Sequence, residues 1–174
     1  MQALASTARE AGVDCGLLEA IHRRNLEQRQ GMIRRVLGRL GPDLHGRRLA
    51  IWGLAFKPKT DDVREAPAIA VIQALLEAGA SVAAYDPHAT NTTRMIFGDR
   101  ISYETDAYAA ARGADALLVF TEWNEFRSPD FEQLRRTLKQ PLIFDGRNLY
   151  DLAVVARYDF EYHSVGRPTV RPAK

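Results

Sequence analysis

The sequence predicts an α/β chain: a Rossmann-like, doubly wound parallel sheet preceded by a long connecting helix. Two observations carry this. From residue 44 onward, short runs of consecutive apolar residues alternate with helical stretches, and the runs lack the interspersed polar residues of a strand with one wet face. Before residue 41, apolar residues recur instead at three- and four-residue steps. A length of 174 residues suffices for one well-buried domain with an appended element and is too short for two full domains.

At the front, Met1 to Glu10 is Ala-rich and stops at Gly12, which is placed to end a helix in the left-handed conformation. Asp14 can cap a second helix. In it Leu18, Ile21, Met32, Val36 and Leu40 form a stripe that Asn25 and Gln28 interrupt. Such a helix, about 25 residues and roughly 37 Å long, is too long for one small domain to cover. Its stripe, with polar residues inside it, is expected to meet another domain or another subunit. Gly41-Pro42-Asp43 breaks the helix. Strands are then expected at Arg48–Leu54, Ser81–Tyr85, Ile101–Glu104, Ala116–Thr121, Leu142–Asp145 and Phe160–Val165. Helices are expected at Ala66–Ala78, Asp106–Arg112 and Pro129–Leu138. The chain thus divides into connecting helices over residues 1–43, a Rossmann-like domain over 44–166 and a Pro-rich tail over 167–174 expected to be disordered.

Composition excludes several classes. Hydrophobic residues at 46% and charged residues at 26% are ordinary for a globular protein, and a net charge of +2 is a weak bias. No basic stripe with interleaved aromatics argues for nucleic acid, and Gly46-Arg47-Arg48 reads as a solvated approach to a strand. The single cysteine, Cys15, excludes an intrachain disulfide and a Cys-based metal site. His22, His45, His88 and His163 are scattered, so each is read as structural or solvent-exposed and no metal is expected. No apolar run approaches the ~20 residues that span a bilayer. No signal peptide is visible, so a cytoplasmic location with no membrane contact is expected.

Ligands of an open parallel sheet bind outside the carboxyl ends of its strands. The first such segment, GLAFKPKTDDVREAP from Gly53 to Pro67, stands where a phosphate-binding loop would, yet has Gly53 alone in place of GxGxxG. That argues against a self-contained NAD domain. The loop carries Lys57 and Arg64, cations able to meet a phosphate or its ribose, beside the aromatic Phe56. Pro67 suits the first turn of a helix whose amino end favours anions. Asp61, Asp62, Arg64 and Glu65 could equally pair with one another on a solvated surface, and spacing alone leaves both readings open. Trp123 and Phe126, placed to wall a base pocket, are read as packing residues. Asp86, before Pro87, is read as a turn residue. Asn91-Thr92-Thr93 is a formal glycosylation sequon without meaning in a cytoplasmic protein.

The runs GLAFKPKTDDVREAPA, GASVAAYDP, ADALLVFTEWNEFRSPDF, IFDGRNLYD and YHSVGR resemble the UDP-glucose/GDP-mannose dehydrogenase family, and LLEAIHRRNLEQ is similar to its central helix. The resemblance covers essentially residues 1–167. TEWNEFRSPDF with IFDGRNLYD most resembles the UDP-glucose branch. It implies an enzyme that oxidises the C6 alcohol of UDP-glucose to a carboxylate in two NAD-dependent steps, through a thiohemiacetal and a thioester on a cysteine. It implies that Phe56 and Lys57 contact the sugar nucleotide, Lys57 near the sugar or diphosphate. It implies that Arg147 hydrogen-bonds the sugar, where the plainer reading is a strand-end arginine paired with Asp145. Arg64 matches an arginine that reaches across to NAD held by another domain. The resemblance also implies a homodimer through the central helix, for which the stripe of Leu18, Ile21, Met32 and Val36 is the expected contact.

The departures from the family are as informative. There is no amino-terminal dinucleotide domain, and the family's catalytic cysteine, with the lysine and asparagine that assist it, lies upstream of the first helix. Cys15 falls after that position, in a helix start, and does not replace it, although a helix amino end can lower a thiol pKa. No catalytic residue is therefore assigned. Met1 is expected to mark a truncated start, natural or engineered, and the chain alone is expected to lack dehydrogenase activity. The alternatives are the same chemistry on GDP-mannose or a UDP-N-acetylhexosamine, and a non-catalytic nucleotide-binding or dimerisation module.

Overall fold

Strand β1 (Arg48–Trp52) shows why the sheet is covered on both faces. Its side chains alternate: Leu49 and Ile51 enter one core, Ala50 and Trp52 the other. Both faces being buried, the strand reads as a continuous apolar run. The computed structural model describes residues 16–172, together with Thr7, residues 10–12 and Asp14. Helix α1 (Gly16–Leu40) precedes β1, and α2 (Pro67–Glu77) leads to β2 (Ser81–Tyr85). Then follow α3 (Thr90–Phe97), a short 3₁₀ turn, β3 (Ser102–Tyr103), α4 (Ala107–Ala111) and β4 (Ala116–Val119). The chain ends with α5 (Asn124–Arg127), α6 (Phe131–Thr137), β5 (Leu142–Asp145), α7 (Leu152–Arg157) and β6 (Glu161–Ser164).

The six strands pair in the order β3-β2-β1-β4-β5-β6, all parallel. Met32, Val36 and Leu40 of α1 and Val71, Ile72 and Leu75 of α2 cover one face, against Leu49, Ile51, Leu118 and Phe144. Trp52, Phe126, Phe131, Leu134 and Tyr162 build the other core. Each fully buried Leu or Ile there contributes about 1.5–3 kcal/mol. Strand order reverses between β1 and β4, which pair directly from Leu49↔Ala116 to Trp52↔Val119. The loops leaving their carboxyl ends therefore run to opposite sides and open a crevice between them.

The strands expected at Ser81–Tyr85 and Leu142–Asp145 recur with the same bounds, the other expected strands and helices recur with trimmed ends, and three further helices are present. In α3 the polar start TNTT lacks a side-chain cap, and its buried Thr93 and Phe97 are four residues apart with nothing apolar between them facing inward. Helices α5 and α7 each bury one residue, Phe126 and Val155, too few to show a period. The expected helix at Met1–Glu10 lies mostly outside the described residues, although Ala11 N–H donates to Thr7 O and Gly12 has φ 69°. Asp14 accepts the Gly16 N–H at 2.9 Å, at the start of α1.

Two expectations are corrected. The tail from residue 167 is not wholly disordered: Val170 exchanges two 3.0 Å backbone hydrogen bonds with Tyr162. Edge strand β6 presents unpaired backbone groups, and the returning tail satisfies those of Tyr162. The stripe of α1 does not face a partner along its whole length either. Met32 and Val36 are buried in the chain's own core, whereas Leu17, Ile21 and Leu26 of the front half stay exposed. No helix among the described residues is long and apolar enough to cross a membrane.

Candidate functional site

The site begins where β1 ends. Gly53 has φ 90°, and a Cβ there would stand 2.6 Å from the backbone N of Thr121, so only glycine lets the ends of β1 and β4 approach so closely. Beyond it the loop is pinned by Asp86, at the end of β2. Asp86 Oδ2 accepts from the N–H groups of Leu54 (2.8 Å) and Ala55 (3.1 Å) and from Trp123 Nε1 (3.2 Å). Its Oδ1 accepts from His88 and Ala89 N–H. Asp86 is thus more than a turn residue: a buried carboxylate whose five N–H partners tie three loops together. The Thr121 hydroxyl adds a bond to Ala55 O at 2.6 Å. Held in this way, the chain emerges at Phe56, which is exposed.

Arg147 reaches the same point from the end of β5. Asp145 accepts the Arg147 backbone N–H at 2.7 Å but not its guanidinium, so the pairing expected from sequence is with the main chain only. The other carboxylate oxygen takes Leu149 N–H and the Tyr162 hydroxyl. Burial, the nearby Asp145 charge and that hydrogen bond push the Tyr162 hydroxyl well above its ordinary pKa. The guanidinium of Arg147 is thereby left for other partners. Its Nε donates to Phe120 O at 2.7 Å and its Nη2 to Phe56 O, with its carbon 6.0 Å from the Phe56 ring centre. One arginine therefore joins the carboxyl ends of β1, β4 and β5. Both acceptors are neutral carbonyls, so its charge is not cancelled, and further N–H donors remain.

A cleft of about 260 Å³ lies above these ends. Phe56, Phe120 and Arg147 line it from the sheet side, and Asn25, Gln28, Arg29 and Met32 from α1. Pro67, at the amino end of α2, lines it too. Ala66, the residue before α2, offers no side-chain cap, so the first-turn N–H groups and the positive end of the helix dipole are not met by a side chain. The volume is near the lower end of the ~300–1,000 Å³ typical of ligand pockets, so the cleft can seat part of a nucleotide-sized ligand without enclosing it.

Of the four residues singled out from sequence, the structure brings Phe56 and Arg147 together in this cleft. Lys57 and Arg64 sit on the same loop outside its lining. Arg64, with an 87% exposed side chain, grips Asp62 through two 2.9 Å bonds. This pair holds the Asp62 carboxyl down at about 2, with Lys57 adding to the effect. The surface-pairing alternative therefore describes Asp62 with Arg64. It does not describe Glu65, which pairs with Arg29 of α1. Trp123 and Phe126 are buried, as packing residues are, the former stacked on His88 at 5.0 Å. Asn25, Gln28 and Arg29 were not singled out as site residues. For Asn25 and Gln28 the sequence signal was the polar break in the α1 stripe, which is where the helix faces the cleft; Arg29 had none. The described residues hold no group of three His, Cys, Asp or Glu able to bind a metal.

Residues 50–152 match the UDP binding domain of the UDP-glucose/GDP-mannose dehydrogenase family. The chain is 44% identical over 166 residues to UDP-glucose 6-dehydrogenase of Rhizobium meliloti (strain 1021), covering 95% of this chain and 38% of that protein. It is 42% identical over 169 residues to UDP-glucose 6-dehydrogenase TuaD of Bacillus subtilis (strain 168), covering 97% and 36%. Among solved structures, it superposes on a UDP-glucose dehydrogenase from the hyperthermophilic archaeon Pyrobaculum islandicum with a TM-score of 0.79 at 29% identity, covering 95% of this chain and 36% of that one. The chain thus spans little more than a third of the length of the relatives it matches.

Proposed function

This chain belongs to the UDP-glucose/GDP-mannose dehydrogenase family, and we propose that it is the part of an NAD-dependent UDP-glucose 6-dehydrogenase that holds UDP-glucose while the enzyme oxidises it to UDP-glucuronate. The observation that carries this reading is the meeting of Phe56 and Arg147 in a cleft beside the uncapped amino end of α2. Those groups suit an anionic, ring-bearing ligand. The exposed Phe56 ring offers an apolar face to a sugar or a base. Arg147 has donors left for sugar hydroxyls or a phosphate oxygen. Lys57, a compact exposed charge on the same loop, faces the diphosphate in this reading.

NAD fits a different place. The loop after β1 has no second or third glycine to let a pyrophosphate approach the backbone, and Phe56 stands at its mouth. We therefore assign NAD to another part of the enzyme, with the exposed Arg64 as this chain's contact to it. Bound there, NAD supplies the hydride acceptor. The residues of this chain bind and orient the nucleotide sugar, and the chain by itself is assigned no dehydrogenase activity. The exposed front half of α1, with Leu17, Ile21 and Leu26, is the proposed face for a homodimer, and the enzyme is assigned to the cytoplasm.

Calorimetric titration of the chain with UDP, UDP-glucose, GDP and NAD tests the reading. UDP and UDP-glucose should bind, with GDP and NAD at least about ten-fold weaker. Arg147→Met should weaken UDP-glucose binding by about 1.5–3 kcal/mol, the range for a hydrogen bond to a charged group. Tighter binding of GDP than of UDP, or no effect of Arg147→Met, would overturn it.

A further inference from the structure

One contact ties α1 to the loop after β1. Arg29 Nη2 donates both to the backbone carbonyl of Glu65 (2.7 Å) and to its carboxylate (2.8 Å). The Arg29 side chain is only 18% exposed, so it is held in place along the helix. Glu65 has φ 60°, a left-handed conformation that residues with side chains rarely adopt and that persists only when the surroundings enforce it. It lies between Arg64 and Ala66, the residue that leads into Pro67 and α2. The turn at Glu65 therefore sets both the direction of Arg64 and the entry of the chain into α2. The pair also forms a wall. Arg29 and Glu65 border the 260 Å³ cleft on one side and, on the other, a shallow groove edged by Val63, Ile69 and Ile96.

We propose that Arg29 is a positioning residue, a latch that keeps Glu65 left-handed and so presets the loop of residues 56–66 for the nucleotide sugar. The ligand in this statement rests on the reading given above; the latch rests on the geometry alone. An exposed ion pair by itself has little effect. What distinguishes this contact is its bond to the backbone carbonyl of the left-handed residue.

The test uses the full chain and Arg29→Met on three backgrounds: wild type, Glu65→Gln and Glu65→Gly. The first replacement keeps the strained backbone and removes the charge, whereas glycine takes a positive φ without help. Amide hydrogen exchange of residues 57–66 reads the loop, and UDP titration reads the cleft. On the wild-type and Glu65→Gln backgrounds, Arg29→Met should speed loop exchange and weaken UDP binding, each about ten-fold. On the Glu65→Gly background it should have almost no effect. An ion pair without a latch would lose the effect in Glu65→Gln, and general destabilisation would keep it in Glu65→Gly. Either result overturns the proposal, as does unchanged exchange in Arg29→Met itself. If the exchange pattern is as expected while wild-type chain does not bind UDP, the latch stands and the assignment of the ligand fails.

Discussion

The two ends of the sheet use the same residue types in opposite ways. At the amino end, the buried Asp115 carboxylate accepts from Arg48 N–H (2.9 Å), Arg47 Nη1 (3.0 Å) and Lys139 Nζ (3.3 Å). Cations there are neutralised by an acid, and the end is closed. At the carboxyl end, Asp86 and Asp145 are satisfied by backbone N–H groups and by Trp123 and Tyr162. No acid is left over for Arg147, whose guanidinium is held by carbonyls instead. The amino end stores its charge in staples; the carboxyl end leaves the positive charge of Arg147 at the lining of the cleft. A sheet that must bind an anion needs its loop carboxylates occupied by amides, because an acid left free would take the arginine.

Substitutions on either side of β1 should break this comparison most visibly. Gly46 and Gly53 flank the strand and both have positive φ, 76° and 90°. A Cβ at Gly46 would meet nothing within 4 Å, whereas at Gly53 it would strike Thr121. Gly53→Ala should cost about 4 kcal/mol, from strain plus a backbone clash, and Gly46→Ala only about 1 kcal/mol, from strain alone. Urea unfolding of the two variants measures the difference. Asp86→Ala should come next, at about 3 kcal/mol, because it strands the buried Leu54 and Ala55 N–H groups, and it should also loosen UDP binding.

Asp115→Asn should cost less, about 1–2 kcal/mol, since its cationic partners are about half exposed and solvent-screened. Its signature is in the pH dependence. Burial pushes the Asp115 carboxyl up, but hydrogen bonds from Arg48 N–H, Arg47 and Lys139 outweigh that and leave it below the usual carboxylate range. The folded pKa lies below the unfolded one, so the stabilisation is present above about pH 4 and is lost as pH falls through the folded value. Wild type and Asp115→Asn should therefore converge in melting temperature on acidification and separate again toward neutrality.

The strands were legible because their signals are local, whereas the Asp115 staple at the amino end was not, Arg47 and Arg48 reading only as a solvated approach to β1. The runs RLAIW, SVAAY, ALLV and LIFD are contiguous and apolar, and burial on both faces leaves them no other reading. Phe56, Lys57 and Arg64 could be found together because one loop carries them. The meeting of Phe56 with Arg147, 91 residues apart, needs the strand order and could come only from whole-motif resemblance. The contribution of α1 was legible as an anomaly, Asn25 and Gln28 inside an apolar stripe, but not as a wall of the cleft. The Arg29–Glu65 contact had no signal, since a surface arginine and a loop glutamate are ordinary until the φ of Glu65 is known.

In the proposed function one end of the sheet binds the nucleotide and the other only holds the fold together. Hydrogen exchange of the chain with and without saturating UDP separates the two ends. UDP should protect residues 53–67, 120–123 and 145–147 and the α1 segment 25–32, with no change at residues 43–48, 113–115 and 139–141. Protection at the amino-end loops, or none at the carboxyl-end loops, would contradict it.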